Sequence, residues 1–109
     1  MSKYFEEIND GNMNVDFLAK LDEAREYAGI PFKINSAYRT EAHNRAIGGK
    51  PNSSHLRGLA VDISVKDSRK RFIVLEALIR VGFNRIGVAK SFIHVDDDKD
   101  KSNEVVWVY

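Results

Sequence analysis

Residues 59–65 alternate without a break: Leu59, Val61, Ile63 and Val65 carry the large apolar side chains, and Ala60, Asp62 and Ser64 fall between them. A period of two marks a strand with one apolar face. Residues 69–81 follow, with Phe72, Ile73, Leu75, Ala77, Leu78 and Ile79, dense enough to predict a helix central to the core. Ser68 can cap that helix, and Gly82 ends it. With 109 residues the chain is long enough for one real core and too short for two, so one domain over 1–109 is expected. The chain has no cysteine, which removes disulfide scaffolds, thiolate metal sites and cysteine nucleophiles together.

The other elements read from local signals. Residues 15–27 form a helix with Asn14 as N-cap, Val15, Leu18, Leu21 and Ala28 near helical spacing, and Gly29 then Pro31 as the stop. Residues 32–36 alternate as a strand. A short helix starts after Thr40 and ends before Gly48. Residues 48–58, with three glycines, Pro51, Asn52 and two serines, read as a loop. Three short strands cover residues 85–88, 92–96 and 105–109. Strands clustered late in the chain, with helices mostly before them, argue for an α+β fold: a small, largely antiparallel sheet packed with helices.

Composition restricts the partners. Hydrophobic residues make up 43% and charged residues 30%, ordinary globular usage that leaves no case for disorder. Seventeen Lys and Arg face sixteen Asp and Glu, a net charge of +1, so no overall field favours nucleic acid or an acidic membrane surface. The basic run Arg69-Lys70-Arg71 is better explained as a solvated helix face than as a nucleic-acid site. No apolar stretch approaches the ~18 residues of a membrane span, and residues 1–10 lack the apolar core of an export signal. A protein made in the cytoplasm, without a nucleic-acid or membrane partner and monomeric, is the expectation.

Only three histidines are present, His43, His55 and His94. Asp62 sits on the face of its strand opposite Val61 and Ile63, and period-two spacing puts Phe92, His94 and Asp96 on one face of theirs. Two imidazoles and a carboxylate are a standard catalytic zinc set with a fourth position open to water, and the donors suit zinc better than magnesium or calcium. Each residue also has a plainer reading. His55 can be a solvated loop histidine, Asp62 a strand carboxylate paired with an arginine, and His94 a half-buried strand histidine with a backbone partner. His43, on the short helix, reads as a surface residue.

The surrounding residues narrow the choice. Ser36-Ala37-Tyr38-Arg39-Thr40, then Ser53-Ser54-His55-Leu56-Arg57-Gly58-Leu59-Ala60-Val61-Asp62, then Phe92-Ile93-His94-Val95-Asp96 and a late Trp107 occur in this order. The series resembles the zinc-dependent D-Ala-D-Ala carboxypeptidase and murein endopeptidase family, which includes bacteriophage endolysins and shares a fold with the hedgehog signalling domain. The resemblance spans residues 32–109. It implies a zinc cleft on the sheet with His55, Asp62 and His94 as ligands. It also implies hydrolysis, by metal-activated water, of amide bonds in peptidoglycan stem or cross-link peptides, after release or delivery to the cell wall. Arg39 matches an arginine thought to face substrate, where its fork of donors suits a peptide carboxylate or the scissile carbonyl; a structural tie between loop and sheet is the other reading. Ser54 can orient His55 or touch substrate, or be a turn serine.

One departure bears on catalysis. Many relatives carry Glu or Asp three residues before the last histidine as general base, and this chain has Ser91 there. A subgroup with the Phe-x-His-x-Asp form and a trailing tryptophan lacks that acid too and is regarded as active. Asp96 is the nearest replacement, as base for the water or as a second carboxylate orienting His94. Loss of the base also admits a non-catalytic, zinc-stabilised wall- or peptide-binding module. Asp97, Asp98 and Asp100 are expected in a solvated loop with Lys99 and Lys101. Trp107 and Tyr109 can line a cleft, but packing of an end strand is the expected role.

Overall fold

The structure, a computed structural model, describes residues 2–109. Its first helix, α1 (Val15–Ala28), begins where Asn14 accepts a hydrogen bond from the Phe17 N–H at 2.9 Å, and it stops at Gly29 in the left-handed conformation, φ +71°. Strand β1 (Lys33–Ser36) follows, then a short helix, α2 (Glu41–Ala46), capped by Thr40. A 3-10 turn over Ser54–Arg57 leads into β2 (Ala60–Ser64). Helix α3 (Ser68–Arg80) is next, and β3 (Arg85–Val88), β4 (Phe92–Asp96) and β5 (Val105–Val108) complete the fold. A further 3-10 turn, Glu6–Ile8, lies near the start. Among the described residues, no helix is long and apolar enough to cross a membrane.

The five strands form one sheet in the order β1-β2-β4-β3-β5. Its first three pairings are antiparallel, as expected; the last, β3 with β5, is parallel. The parallel pair arises because the chain leaving β4 crosses over β3 through residues 97–104 instead of returning by a tight hairpin. The architecture is α+β with a mixed sheet.

One face of the sheet makes the core. Val61 and Ile63 of β2, Ile86 of β3, and Ile93 and Val95 of β4 are buried together with Phe17, Leu18, Leu21 and Ala24 of α1 and Val74, Ala77 and Leu78 of α3. The buried α1 positions recur at i, i+1, i+4 and i+7, one helical stripe. Register ties the strands side by side, Val61 with Val95 and Ile63 with Ile93. The opposite face of the sheet therefore carries the intervening residues.

Two expectations about α3 need correction. Its density of apolar residues, Phe72 and Ile79 among them, suggested a helix central to the core, yet Phe72 is 68% exposed and Ile79 53% exposed. Val74, Ala77 and Leu78 are buried in the core and Leu75 packs at its edge, while the far side of the helix faces water. The cap also moves by one residue. Asp67, not Ser68, is the N-cap, accepting from the Lys70 N–H at 2.8 Å. Asp67→Ala should therefore cost about 0.5–2 kcal/mol of stability, the range for loss of a capping side chain, whereas Ser68→Ala should be nearly neutral. Urea unfolding of the two variants measures the difference.

Candidate metal centre

The sheet register builds two thirds of the site. Asp62 of β2 lies directly opposite His94 of β4, and Gly87 of β3 lies opposite His94 on its other side. All three belong to the face turned away from the core. On that face the Asp62 Oδ1 is 2.9 Å from His94 Nδ1. Ser36, brought opposite Asp62 by a register shift in β1, extends the same row.

The third part arrives from the Ser54–Arg57 turn. Ser53 caps the turn, and Gly58 ends it with φ +67°. A side chain at Gly58 would also run into the Asn12 carbonyl and the Met13 backbone. The His55-x-x-Gly58 spacing is thus a physical requirement: one 3-10 turn, then a left-handed residue without a Cβ, then entry into β2. His55 comes to rest above the sheet, 3.4 Å from Asp62 Oδ1 through Nε2. Its Nδ1 faces the Ala37 carbonyl at 2.7 Å. A carbonyl can only accept, so Nδ1 carries the proton and Nε2 presents its lone pair to the cleft.

His94 is oriented in the opposite sense. Its Nε2 donates to Asp96 Oδ2 at 2.8 Å, which leaves Nδ1 for the shared centre with His55 and Asp62. The three donor groups lie within 4.8 Å of one another. Donor atoms bound to zinc at about 2.0–2.2 Å stand roughly 3.3–3.6 Å apart in a tetrahedral site; the 3.4 Å His55–Asp62 contact matches that spacing, and the 2.9 Å His94–Asp62 contact is shorter, at hydrogen-bond length. The donor set and the fixed tautomers both fit one divalent metal ion. These residues sit at the floor of a cleft of about 650 Å³.

The clustered imidazoles and carboxylates also shift one another's protonation. Burial alone would raise the Asp62 pKa, but the neighbouring His55 and His94 rings outweigh it and hold the carboxyl far below its ordinary range. Burial alone would lower the His94 pKa; its contacts with Asp62 and Asp96 prevail and raise it above the usual value. The Asp96 carboxyl is pulled below its ordinary range, against burial, by His94 and Arg85.

The sequence-derived residues fall as follows. His55, Asp62 and His94 converge. Arg39 borders them: its Nη2 is 3.5 Å from Asp62 Oδ2, while Nε donates to Ser36 Oγ at 3.0 Å and Nη1 to Asn44 Oδ1 at 3.1 Å. Both readings of Arg39 thus have a geometric basis, since it ties β1 to α2 and also edges the cleft. His43 is on the surface, as expected.

At five positions the structure chooses among the readings or departs from them. Asp96 shares the face of His94, but both its oxygens are engaged: Oδ2 by His94, and Oδ1 by Arg85 Nε at 2.7 Å and the Asp98 N–H at 3.2 Å. At 1% exposure it stands behind the His94 ring, away from the side where the donors meet. The geometry withdraws it as base for a water and leaves the orienting role. Ser54 is buried, its hydroxyl donating to Asp98 Oδ2 at 2.7 Å and accepting from Lys101 Nζ at 2.9 Å, so it is not free to touch substrate. Asp98 itself is 3% exposed, not part of a solvated loop. Trp107 and Tyr109 line the cleft and do not pack into a core; the indole lies across Gly87, where a Cβ would collide with it, and its ring centroid is 5.5 Å from that of His94.

Sequence reasoning missed Arg85, which holds Asp96 and lies over Trp107 with its guanidinium carbon 5.2 Å from the ring centroid. Alternation offered a signal. Ile86 and Val88 are apolar, so Arg85 and Gly87 had to share the other face of β3.

A cleft with two imidazoles and one carboxylate at its floor has the donor set to hold a metal ion. The family model described as Peptidase M15 matches residues 2–96, and the chain belongs to this family of zinc-dependent peptidases. Comparison with curated proteins finds no match. Zinc at 100 times its dissociation constant should stabilise the fold by about 2.7 kcal/mol. The melting temperature should rise with zinc and fall back with EDTA, and Asp62→Asn should abolish the rise.

Proposed function

We propose that the protein is a zinc peptidase that hydrolyses amide bonds in the stem or cross-link peptides of peptidoglycan. The observation that carries the reading is the convergence of His55 Nε2, Asp62 Oδ1 and His94 Nδ1 at the floor of an open cleft. Membership of the M15 family supports the hydrolytic chemistry. The substrate class rests on the resemblance of the Ser53–Asp62 and Phe92–Asp96 segments to murein peptidases. In this reading the protein acts as a monomer on cell-wall peptides after release or delivery, with no nucleic-acid or membrane partner.

Zinc, when bound, supplies a Lewis acid for the scissile carbonyl and a water of lowered pKa. The chain's own residues do the rest. The Ala37 carbonyl and Asp96 each hold one imidazole in the tautomer that points a lone pair inward. Arg39, beside Asp62, offers its remaining N–H groups to a substrate carbonyl or carboxylate, where charge develops as the amide is attacked. Trp107 and Tyr109 wall one side and restrict water.

A second reading, a zinc-stabilised binding module without turnover, is favoured by one feature. Ser91 is exposed where relatives place an acid, and Asp96 is already engaged. The two readings separate on purified cell wall. The peptidase should release new amino groups with zinc, lose this with EDTA and regain it on zinc addition. Mass spectrometry of the muropeptides then identifies the bond. A zinc-loaded protein that binds wall and leaves every peptide intact supports the second reading, and a gain of activity in Ser91→Glu would clinch it.

Two variants report on the assigned roles. Arg39→Ala should lower kcat by about 10²–10³, the cost of one lost oxyanion donor, with zinc content retained. Asp96→Asn should weaken zinc binding by about 10–100-fold, as expected for a partner that orients a metal-binding histidine. Peptide-release kinetics check the first, and metal analysis after dialysis against defined zinc buffers checks the zinc content of both.

A further inference from the structure

The two imidazoles of the centre come from segments far apart in the chain, His55 from the Ser54–Arg57 turn and His94 from β4. Their relative position has to be held by something other than sheet register, because the turn lies outside the sheet. The side chain of Asp98 spans that gap. Its Oδ2 accepts from Ser54 Oγ at 2.7 Å and from the Arg57 guanidinium, both in the turn, and lies 3.7 Å from Lys101 Nζ. Its Oδ1 accepts from the Asp100 N–H at 3.1 Å. The backbone N–H of Asp98 donates to Asp96 Oδ1, and Asp96 Oδ2 accepts a hydrogen bond from His94 Nε2. One run of hydrogen bonds thus leads from the neighbour of His55 through Asp98 to the ring of His94. A backbone bond from Asp97 N–H to the Leu59 carbonyl, 3.0 Å, reinforces the same junction.

A carboxylate this deeply buried is stable only because every oxygen has donors. It is not one of the three groups whose atoms converge on the centre. Moving it would not remove a ligand; it would let the turn carrying His55 shift against β4.

We propose that Asp98 is a positioning residue of the metal centre, setting the separation and orientation of His55 relative to His94. The proposal rests on the reading of His55, Asp62 and His94 as metal ligands. A contact that merely holds the fold together would lower stability equally with and without metal. A positioning contact changes the affinity for metal and the ligand field around it.

The test uses the full chain. Zinc affinity is measured by competition with a chromophoric chelator, and the cobalt(II)-substituted protein is examined by visible absorption. Asp98→Asn keeps the shape and one acceptor oxygen but loses the charge facing Arg57 and Lys101. It should bind zinc about 10–100-fold more weakly, the usual effect of disturbing groups that support metal ligands, and its cobalt bands should shift. Ser54→Ala removes a single donor to the same carboxylate and leaves every charge in place, so it serves if Asp98→Asn does not fold. It should weaken zinc by a smaller factor with the same sense of spectral shift. Zinc affinity within twofold of wild type and an unchanged cobalt spectrum, in Asp98→Asn or in its substitute, would overturn the proposal while leaving the metal centre intact. A wild-type protein that takes up no zinc would overturn both. Activity on cell wall plays no part in these readouts, so failure of the peptidase reading is recorded separately.

Discussion

Asp62 and His94 face each other across two antiparallel strands, and the rest of the structure depends on that register. Val61 pairs with Val95 and Ile63 with Ile93 in the same ladder. A slip of one residue would turn the apolar side chains into the cleft and the carboxylate and imidazole into the core. Burial of Val61, Ile63, Ile93 and Val95 under α1 and α3 therefore holds the metal-facing pair in place. The energy that stabilises the core is also what sets the geometry of the site.

Around this pair the protein arranges charge in layers. Asp62 is met by two imidazoles and by Arg39; Asp96 is met by His94 and Arg85; Asp98 is met by Ser54, Arg57 and Lys101. Each half-buried or buried carboxylate would be costly alone. Each is satisfied by a partner from a different segment, so the network joins β1, β2, β3, β4, the Ser54–Arg57 turn and the crossover to β5. Among the described residues, no buried side-chain nitrogen or oxygen lacks a hydrogen-bond partner. Gly58 and Gly87 make room for this arrangement. The first lets the turn close against residues 12 and 13, and the second lets the Trp107 indole approach the β3 backbone beside His94.

Much of the fold was legible along the chain. The alternation at 59–65 located β2 and assigned Asp62 to the face away from the core. The caps at Asn14 and Thr40 and the stop at Gly29 are local hydrogen-bonding and steric signals, so they read correctly without knowledge of anything distant. The Asp67 cap was missed because Ser68 is an equally good capping residue, and only the entry angle of the chain chooses between them. The exposed side of α3 was missed for a related reason. Density of apolar residues says that a helix is buried somewhere, and the position of neighbouring elements decides how much of it is covered.

The sequence by itself determined the main helices and strands and the α+β class, because strand periodicity and capping are set by neighbours a few positions away; the three residues that meet at the centre stood out through their donor chemistry together with the motif resemblance. Tertiary structure alone decided which atoms of those residues point inward. It also moved Asp96 behind His94, buried Asp98 and Ser54 together, and turned Trp107 and Tyr109 toward the cleft. Those outcomes depend on partners from other elements, such as Ser54 with Asp98 at a separation of 44 and Asp62 with His94 at 32, and on the parallel placement of β5. Composition and spacing carry no information about such contacts. They exist only once burial has removed water as the competing partner for each polar group.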